Sequence, residues 1–147
     1  MKAWEMWNLF TKKGKMEGEN YEAWAFGEDP DGLAKLVLLG IKTGTASAWP
    51  IYEMKMEPFP REGGYSVILN EDGEAVCVIQ TTKVYVVPFD QVTEEHARKE
   101  GEGDKSLEYW REIHRNFFTK ELKEAGLNFN EEMKVVCEEF EVVYRPD

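Results

Sequence analysis

Three apolar runs follow one another almost without interruption, Tyr65–Leu69, Ala75–Ile79 and Thr82–Val87, and they narrow sharply what this chain can fold into. All are rich in β-branched and aromatic residues, the side chains that pack best on a pleated surface. The first two are separated by Asn70-Glu71-Asp72-Gly73-Glu74, a turn with glycine where positive φ is wanted, which predicts a β-hairpin. The third follows at once and is closed by Pro88, which has no N–H to give to a sheet. A fourth run, Met133–Tyr144, is rich in valine and alternates imperfectly, with Val136, Glu138 and Phe140 on one side and Val135, Cys137 and Glu139 on the other. It returns as a strand beside the others. Antiparallel strands of this length with helices bunched at the ends predict an α+β domain built on a small, closed or half-closed β-barrel with peripheral helices.

The helical signals lie outside these runs. Trp4, Trp7 and Phe10 recur every three residues, so residues 2–13 read as a short amphipathic helix with an aromatic core face, ended near Gly14. The acidic stretch from Gly14 to Pro30 carries Tyr21, Trp24 and Phe26 and reads as a lid or wrap whose aromatics complete the core or line a pocket. Asp29-Pro30-Asp31 starts a second helix, with a capping carboxylate and an early proline, and Gly40 ends it. Ala46–Tyr52 is read as a strand that Pro50 confines to an edge or a bulge, followed by a loop from Met54 to Gly64. Thr93 caps a short helix that Gly101 stops. A long helix then runs to about Ala125, with Leu107, Trp110, His114 and Phe117 on one face. A histidine on such a face is more often a hydrogen-bonded core or pocket-wall group than a ligand.

Length and charge limit the partners. A chain of 147 residues with 42% hydrophobic residues holds one domain with a real core; residues 1–23 are read as an N-terminal helical extension. The net charge of −11 repels a phosphate backbone at long range and argues against DNA, a long RNA track or a polybasic membrane surface. Met1–Asn8 interrupts its aromatics with charge and lacks the apolar core of an export signal. Cys77 and Cys137 sit inside strand-like runs without a metal-ligand spacing, so they read as buried reduced thiols of a cytoplasmic protein, with no metal or cofactor implied.

Two stretches carry the chemistry. Gly40-Ile41-Lys42-Thr43-Gly44-Thr45-Ala46-Ser47 places one lysine and three hydroxyls on a glycine-broken backbone just past a helix C-terminus. Its bland reading is a loop leading into an edge strand with a solvated lysine. Glu100-Gly101-Glu102-Gly103-Asp104 packs three carboxylates together, but its spacing is not that of a calcium loop. A lysine and a glutamate facing each other in a cleft can set one another's protonation, which makes Lys42 the natural partner of this second stretch.

Together they resemble the ASCH domain family of the PUA-like superfamily. Gly40-Ile41-Lys42-Thr43-Gly44-Thr45 is similar to its Gly-x-Lys-x-x-Thr signature. The stretches Val87–Val92, His96-Ala97-Arg98-Lys99-Glu100, Glu100 to Trp110 with His114, and Val136–Tyr144 extend the resemblance from about Trp24 to Tyr144. The Glu-Gly-Glu-Gly-Asp-x-Ser-Leu run resembles a bacterial subgroup. The resemblance implies a PUA-like barrel with a cleft between the two motifs. Family members have been proposed to bind RNA, some resemble ribonucleases, and some small members are amidohydrolases of N(4)-acetylcytidine. The catalytic set of those amidohydrolases falls on Lys42, Thr45 and Glu100. Thr43, Ser47, Trp24, Glu102, Asp104, Tyr109, Trp110 and His114 are carried as candidate ligand contacts.

The expected activity is hydrolysis of an N(4)-acylated cytidine-type amide. Thr45 attacks the carbonyl, neutral Lys42 takes the hydroxyl proton and Glu100 orients the lysine or passes protons to the leaving amine. Burial favours a neutral lysine and a neighbouring carboxylate favours the cation, so the mechanism needs burial to prevail or Glu100 to carry a proton. The competing expectations are a non-catalytic module stacking a short single-stranded RNA on aromatics such as Trp24 or Trp110, and a metal-independent ribonuclease.

Overall fold

The computed structural model describes residues 1–16 and 18–146. Five strands form one mixed sheet: β1 (Tyr21–Ala25), β2 (Gly44–Ala48), β3 (Tyr65–Leu69), β4 (Ala75–Pro88) and β5 (Lys134–Tyr144). Their order is β1-β3-β4-β5-β2, with β1 parallel to β3 and every other pair antiparallel. The sheet curls into a half-barrel whose edges are β1 and β2. Around it lie α1 (Ala3–Gly14), α2 (Pro30–Leu38), α3 (Trp49–Lys55), α4 (Glu94–Glu100) and α5 (Leu107–Glu124).

The β3–β4 hairpin forms as its turn residues predict. Asn70 Oδ1 accepts from the backbone N–H groups of Asp72 and Glu74, at 3.0 and 2.9 Å, and so closes the turn. The two later apolar runs of the region are one strand of 14 residues, not two. The polar stretch Gln80–Lys83 stays extended because β5 pairs along it, and bulges at Val78/Ile79 and Thr81/Lys83 absorb the change of register.

Packing on both faces of β3 and β4 explains their nearly continuous apolar runs. On one face α1 buries Met6, Trp7 and Phe10 against Val67 and Val78; on the other α2 buries Ala34 and Val37 against Ile68, Cys77, Ile79 and Phe140. A third cluster joins α5 to β5 through Phe89, Trp110, Phe118, Leu122, Val135 and Cys137. Both cysteines are buried and unpaired. Among the described residues no helix is long and apolar enough to cross a membrane.

Three local expectations are corrected. Tyr21–Ala25 is a strand rather than a lid, because parallel pairing with β3 supplies the partner its own pattern does not announce. Pro50 opens α3 at its first turn, where the missing N–H costs nothing, instead of ending an edge strand. Trp4 is 56% exposed. Steps of three drift around a helix of 3.6 residues per turn, so Met6, Trp7 and Phe10 form the inner face and Trp4 leaves it.

Candidate functional site

Lys42 enters the interior from the turn after α2. Gly40 takes φ 75° there, and the N–H groups of Ile41 and Lys42 both donate to the Leu36 carbonyl, at 3.0 and 3.1 Å. The next residue is tied to α4. Thr43 N–H donates to the Lys99 carbonyl at 2.7 Å, and its hydroxyl reaches the same oxygen at 3.3 Å. Gly101, which ends α4 at φ 69°, lies so close to the Ile41 carbonyl that a methyl group would collide with backbone. Gly101→Ala is therefore expected to cost about 2–4 kcal/mol, from left-handed strain plus the clash. Gly63→Ala, at φ 85° with open space around it, should cost about 1 kcal/mol from strain alone. Urea midpoints compare the two, and equal losses would refute the close packing of Gly101 on the Ile41 carbonyl.

The lysine is 2% exposed and Glu100 is 1% exposed. Lys42 Nζ lies 3.2 Å from Glu100 Oε1 and 2.8 Å from Glu102 Oε2, with the Phe26 ring centroid 5.3 Å away. Glu100 collects further donors on its other oxygen: Trp110 Nε1 donates at 2.6 Å, and His96 Nε2 lies at 2.7 Å. His114 Nε2 stands 3.4 Å from Glu100 Oε1. Helical spacing builds the cluster, since His96 and Glu100 are four apart on α4 and Trp110 and His114 four apart on α5.

Charge balance decides protonation here. Burial alone would raise the Glu100 pKa, but the Lys42 charge and then that of His114 outweigh it and hold the carboxyl well below its ordinary range. Burial alone would lower His114, yet the Glu100 carboxylate and the Trp110 carbonyl leave its pKa raised. The His114 Nδ1 lies 2.9 Å from that carbonyl and must donate to it, which leaves Nε2 facing Glu100. One ligand atom each from Glu100, Glu102 and His114 lies within 4.8 Å of the others, a metal-like group. The Lys42 ammonium already contacts both carboxylates, so a cation occupies that position without a metal.

Three hollows lie near this cluster, the first meeting it through Phe26, whose ring packs on Lys42. One, of about 630 Å³, is lined by Trp24, Phe26, Thr45, Ser47, Tyr52 and Glu138 among others. A second, of about 560 Å³, holds Glu102, Gly103 and Tyr109, and Phe117 borders both. A third space of about 520 Å³ runs between the end of α2 and β5, bordered by Gly40, Lys42 and Thr43. Ser47 Oγ and Tyr52 Oη share a 2.8 Å hydrogen bond in the first hollow. Thr45 Oγ1 has no protein hydrogen-bond partner among the described residues.

The fold thus gathers Lys42, Glu100, Trp110 and His114 into one buried cluster, with Glu102 at its partly exposed edge. Thr45, Ser47 and Trp24 line the adjoining cleft, and Tyr109 stands with Glu102 on the other side. Asp104 is directed elsewhere, accepting from the Ser106 N–H at 2.9 Å. Two site residues were not singled out from sequence. His96 had a signal in its four-residue offset from Glu100. Glu138 had another: a carboxylate at a position of the β5 run otherwise held by Val136 and Phe140. Glu138 is 9% exposed and pairs across the strands with Thr45. Burial pushes its pKa up to about 7, against the opposing Thr81 hydrogen bond.

No curated protein matches the chain significantly. Among solved structures, the ASCH domain from Lactobacillus crispatus JV V101 is 36% identical with a TM-score of 0.91, the match covering 97% of this chain and 94% of that one. A protein from Enterococcus faecalis V583 is likewise 36% identical, with a TM-score of 0.89 over 96% of this chain and 87% of the other. A hypothetical protein at 18% identity and a TM-score of 0.58 shares the fold alone, over 84% of this chain and 100% of its own. With the ASCH domain model matching residues 22–144 and two relatives aligning over nearly its whole length, the chain belongs to the ASCH domain family.

Proposed function

We propose that the chain binds a nucleoside-sized ligand in the Thr45 cleft and hydrolyses an N(4)-acylated cytidine-type amide there, using Lys42, Thr45 and Glu100. The observation that carries this reading is a buried, carboxylate-bound lysine packed on Phe26, itself in the wall of a cleft whose Thr45 hydroxyl has no protein partner among the described residues. The cleft's ionisable residues are Glu22, Glu57, Glu121 and Glu138 against Arg61, a lining poor in positive charge that favours an uncharged nucleoside over a polyanion. RNA binding and ribonuclease activity are less well supported for that reason.

In the proposed reaction the Lys42 ammonium first gives a proton to Glu102, the more exposed of its two carboxylates. The resulting amine takes the Thr45 hydroxyl proton as Oγ1 bonds to the amide carbon. The C–N bond then breaks, and the leaving N4 amine receives that proton from Lys42. Water, deprotonated by the same lysine, hydrolyses the acyl-threonine, returning the hydroxyl and releasing the carboxylic acid. Glu100 holds Lys42 in place throughout.

Liquid chromatography of N(4)-acetylcytidine incubated with the protein tests this. Cytidine release is expected, with Thr45→Ala slower by about 10²–10⁴-fold and Thr45→Ser retaining part of the rate. Absence of turnover in the parent, or turnover that survives Thr45→Ala, would remove the hydrolase reading.

A further inference from the structure

Glu138 is the unexplained group of the cleft. It projects from β5 at the register position opposite Thr45, and it lines the cleft while being 9% exposed. Its one protein hydrogen bond among the described residues is long, 3.4 Å from Thr81 Oγ1 to Oε1, and Oε2 has no partner. No cation reaches it within ion-pair distance among the described residues. A carboxylate desolvated in this way costs more than a neutral carboxyl, so burial without a counter-charge favours the protonated acid.

A neutral carboxyl offers one O–H donor beside one carbonyl acceptor, a pattern an ionised carboxylate cannot present. Its complement is an edge with an acceptor next to a donor. Cytosine-type bases carry that edge as N3 and the N4–H, and acylation of N4 leaves both groups in place. A uracil-type base presents the reverse, an N3–H donor beside an O4 acceptor, which the carboxyl meets only by moving its proton to the other oxygen; the Thr81 hydroxyl donating to Oε1 favours Oε1 as the carbonyl and so the cytosine order.

We propose that Glu138 is the base-reading residue of the cleft, its neutral carboxyl pairing in two hydrogen bonds with the N3 and N4–H edge of a cytosine-type base. This inference rests on the cytidine reading above and names the residue that holds the base and how the base is turned. Directly opposed side chains on antiparallel strands have Cβ atoms about 5 Å apart. Pairing with N4–H therefore sets the exocyclic acyl carbon beside the Thr45 hydroxyl, so recognition and attack share one pair of cross-strand neighbours. Trp24 and Phe26, both in the cleft wall, supply apolar surface for the ring.

The pairing needs the proton, so affinity should fall as Glu138 ionises, by about tenfold per pH unit above its folded pKa of about 7. The other titratable groups facing Glu138 are Glu22 from β1, Glu100 from α4 and Tyr52 from α3, with Glu57, Arg61 and Glu121 further along the cleft. His114 also changes charge with pH, but beside Glu100 and behind the cleft. Glu138→Gln keeps all of these groups and replaces the carboxyl with an amide that has the same donor and acceptor at every pH.

Calorimetric titration with cytidine and uridine, at about pH 6 and about pH 8.5, decides the matter. The parent is expected to prefer cytidine at the lower pH and to lose at least tenfold in affinity at the higher. Glu138→Gln should bind cytidine equally at both, and Glu138→Ala should bind it at least tenfold more weakly than the parent at the lower pH. The inference is overturned if Glu138→Ala binds cytidine as the parent does, if parent and Glu138→Gln share one pH slope, if uridine is preferred, or if cytidine does not bind. Cytidine binding that depends on Glu138, without hydrolysis of N(4)-acetylcytidine, keeps the inference and removes the hydrolase reading. Hydrolysis with an unchanged KM in Glu138→Ala does the reverse.

Discussion

Replacing Lys42 with methionine should abolish turnover and remove about 3–5 kcal/mol of folding free energy, because it leaves buried carboxylate charge without its cation. Glu100 is 1% exposed and meets Lys42 Nζ at 3.2 Å, so it cannot recover the lost interaction from water. Methionine nearly matches the aliphatic stem, so a cavity is not the source of the loss. The neutralised variant Lys42→Met/Glu100→Gln/Glu102→Gln is expected to regain at least half of the stability, since an uncharged set escapes the desolvation penalty. Activity should not return with it. Urea unfolding with an unchanged m-value measures both variants. A loss below about 1 kcal/mol for Lys42→Met would show that the cluster is solvated in solution.

Glu100→Gln should cost about 3 kcal/mol near neutral pH and progressively less in acid. The folded protein holds the Glu100 pKa below its unfolded value, chiefly through Lys42 and then His114 against the burial that opposes them. Such a group stabilises above its unfolded pKa of about 4.3, and that contribution is lost as pH falls through the lower folded value. The acid limb of the parent's stability profile should therefore be steeper than that of Glu100→Gln. Two other groups act on the opposite side. The His114 pKa is raised in the fold, so its contribution is complete below about 6.5 and is lost as pH rises through the folded value. Glu138 folds best protonated, so stability declines between its unfolded pKa of about 4.3 and its folded one of about 7. Thermal midpoints from about pH 3 to about pH 9 should show Glu100→Gln flattening the acid limb and also weakening the His114-linked decline at higher pH, because the Glu100 carboxylate is what raises the His114 pKa. Parallel profiles for parent and variant would refute the assignment.

The hairpin around Asn70–Glu74, the glycine stops at Gly40 and Gly101, and the caps at Asp29 and Thr93 were legible because each depends on a few adjacent residues. Strand β1 was not, since Tyr21–Ala25 is extended through pairing with β3, more than 40 residues away by the register Tyr21↔Tyr65. The unbroken length of β4 depended on β5 in the same way. Lys42 stood out in its own glycine-broken stretch, whereas Glu100 was chosen within the acidic run through the family signature, because no periodicity relates two positions 58 apart. Glu138 interrupts the apolar side of the β5 run, but only its pairing with Thr45 places that acid in the cleft.

The sequence by itself determined the local grammar of this protein: which runs pleat, where helices start and stop, and which two motifs carry lysine, hydroxyls and carboxylates. Tertiary structure decided the electrostatics. Burial makes Glu100 depend on Lys42, His96, Trp110 and His114, and it leaves Glu138 in the cleft wall with no counter-charge among the described residues. Sequence alone specifies an acid side chain, whereas its charge at neutral pH depends on the water it loses and the neighbours the fold brings to it.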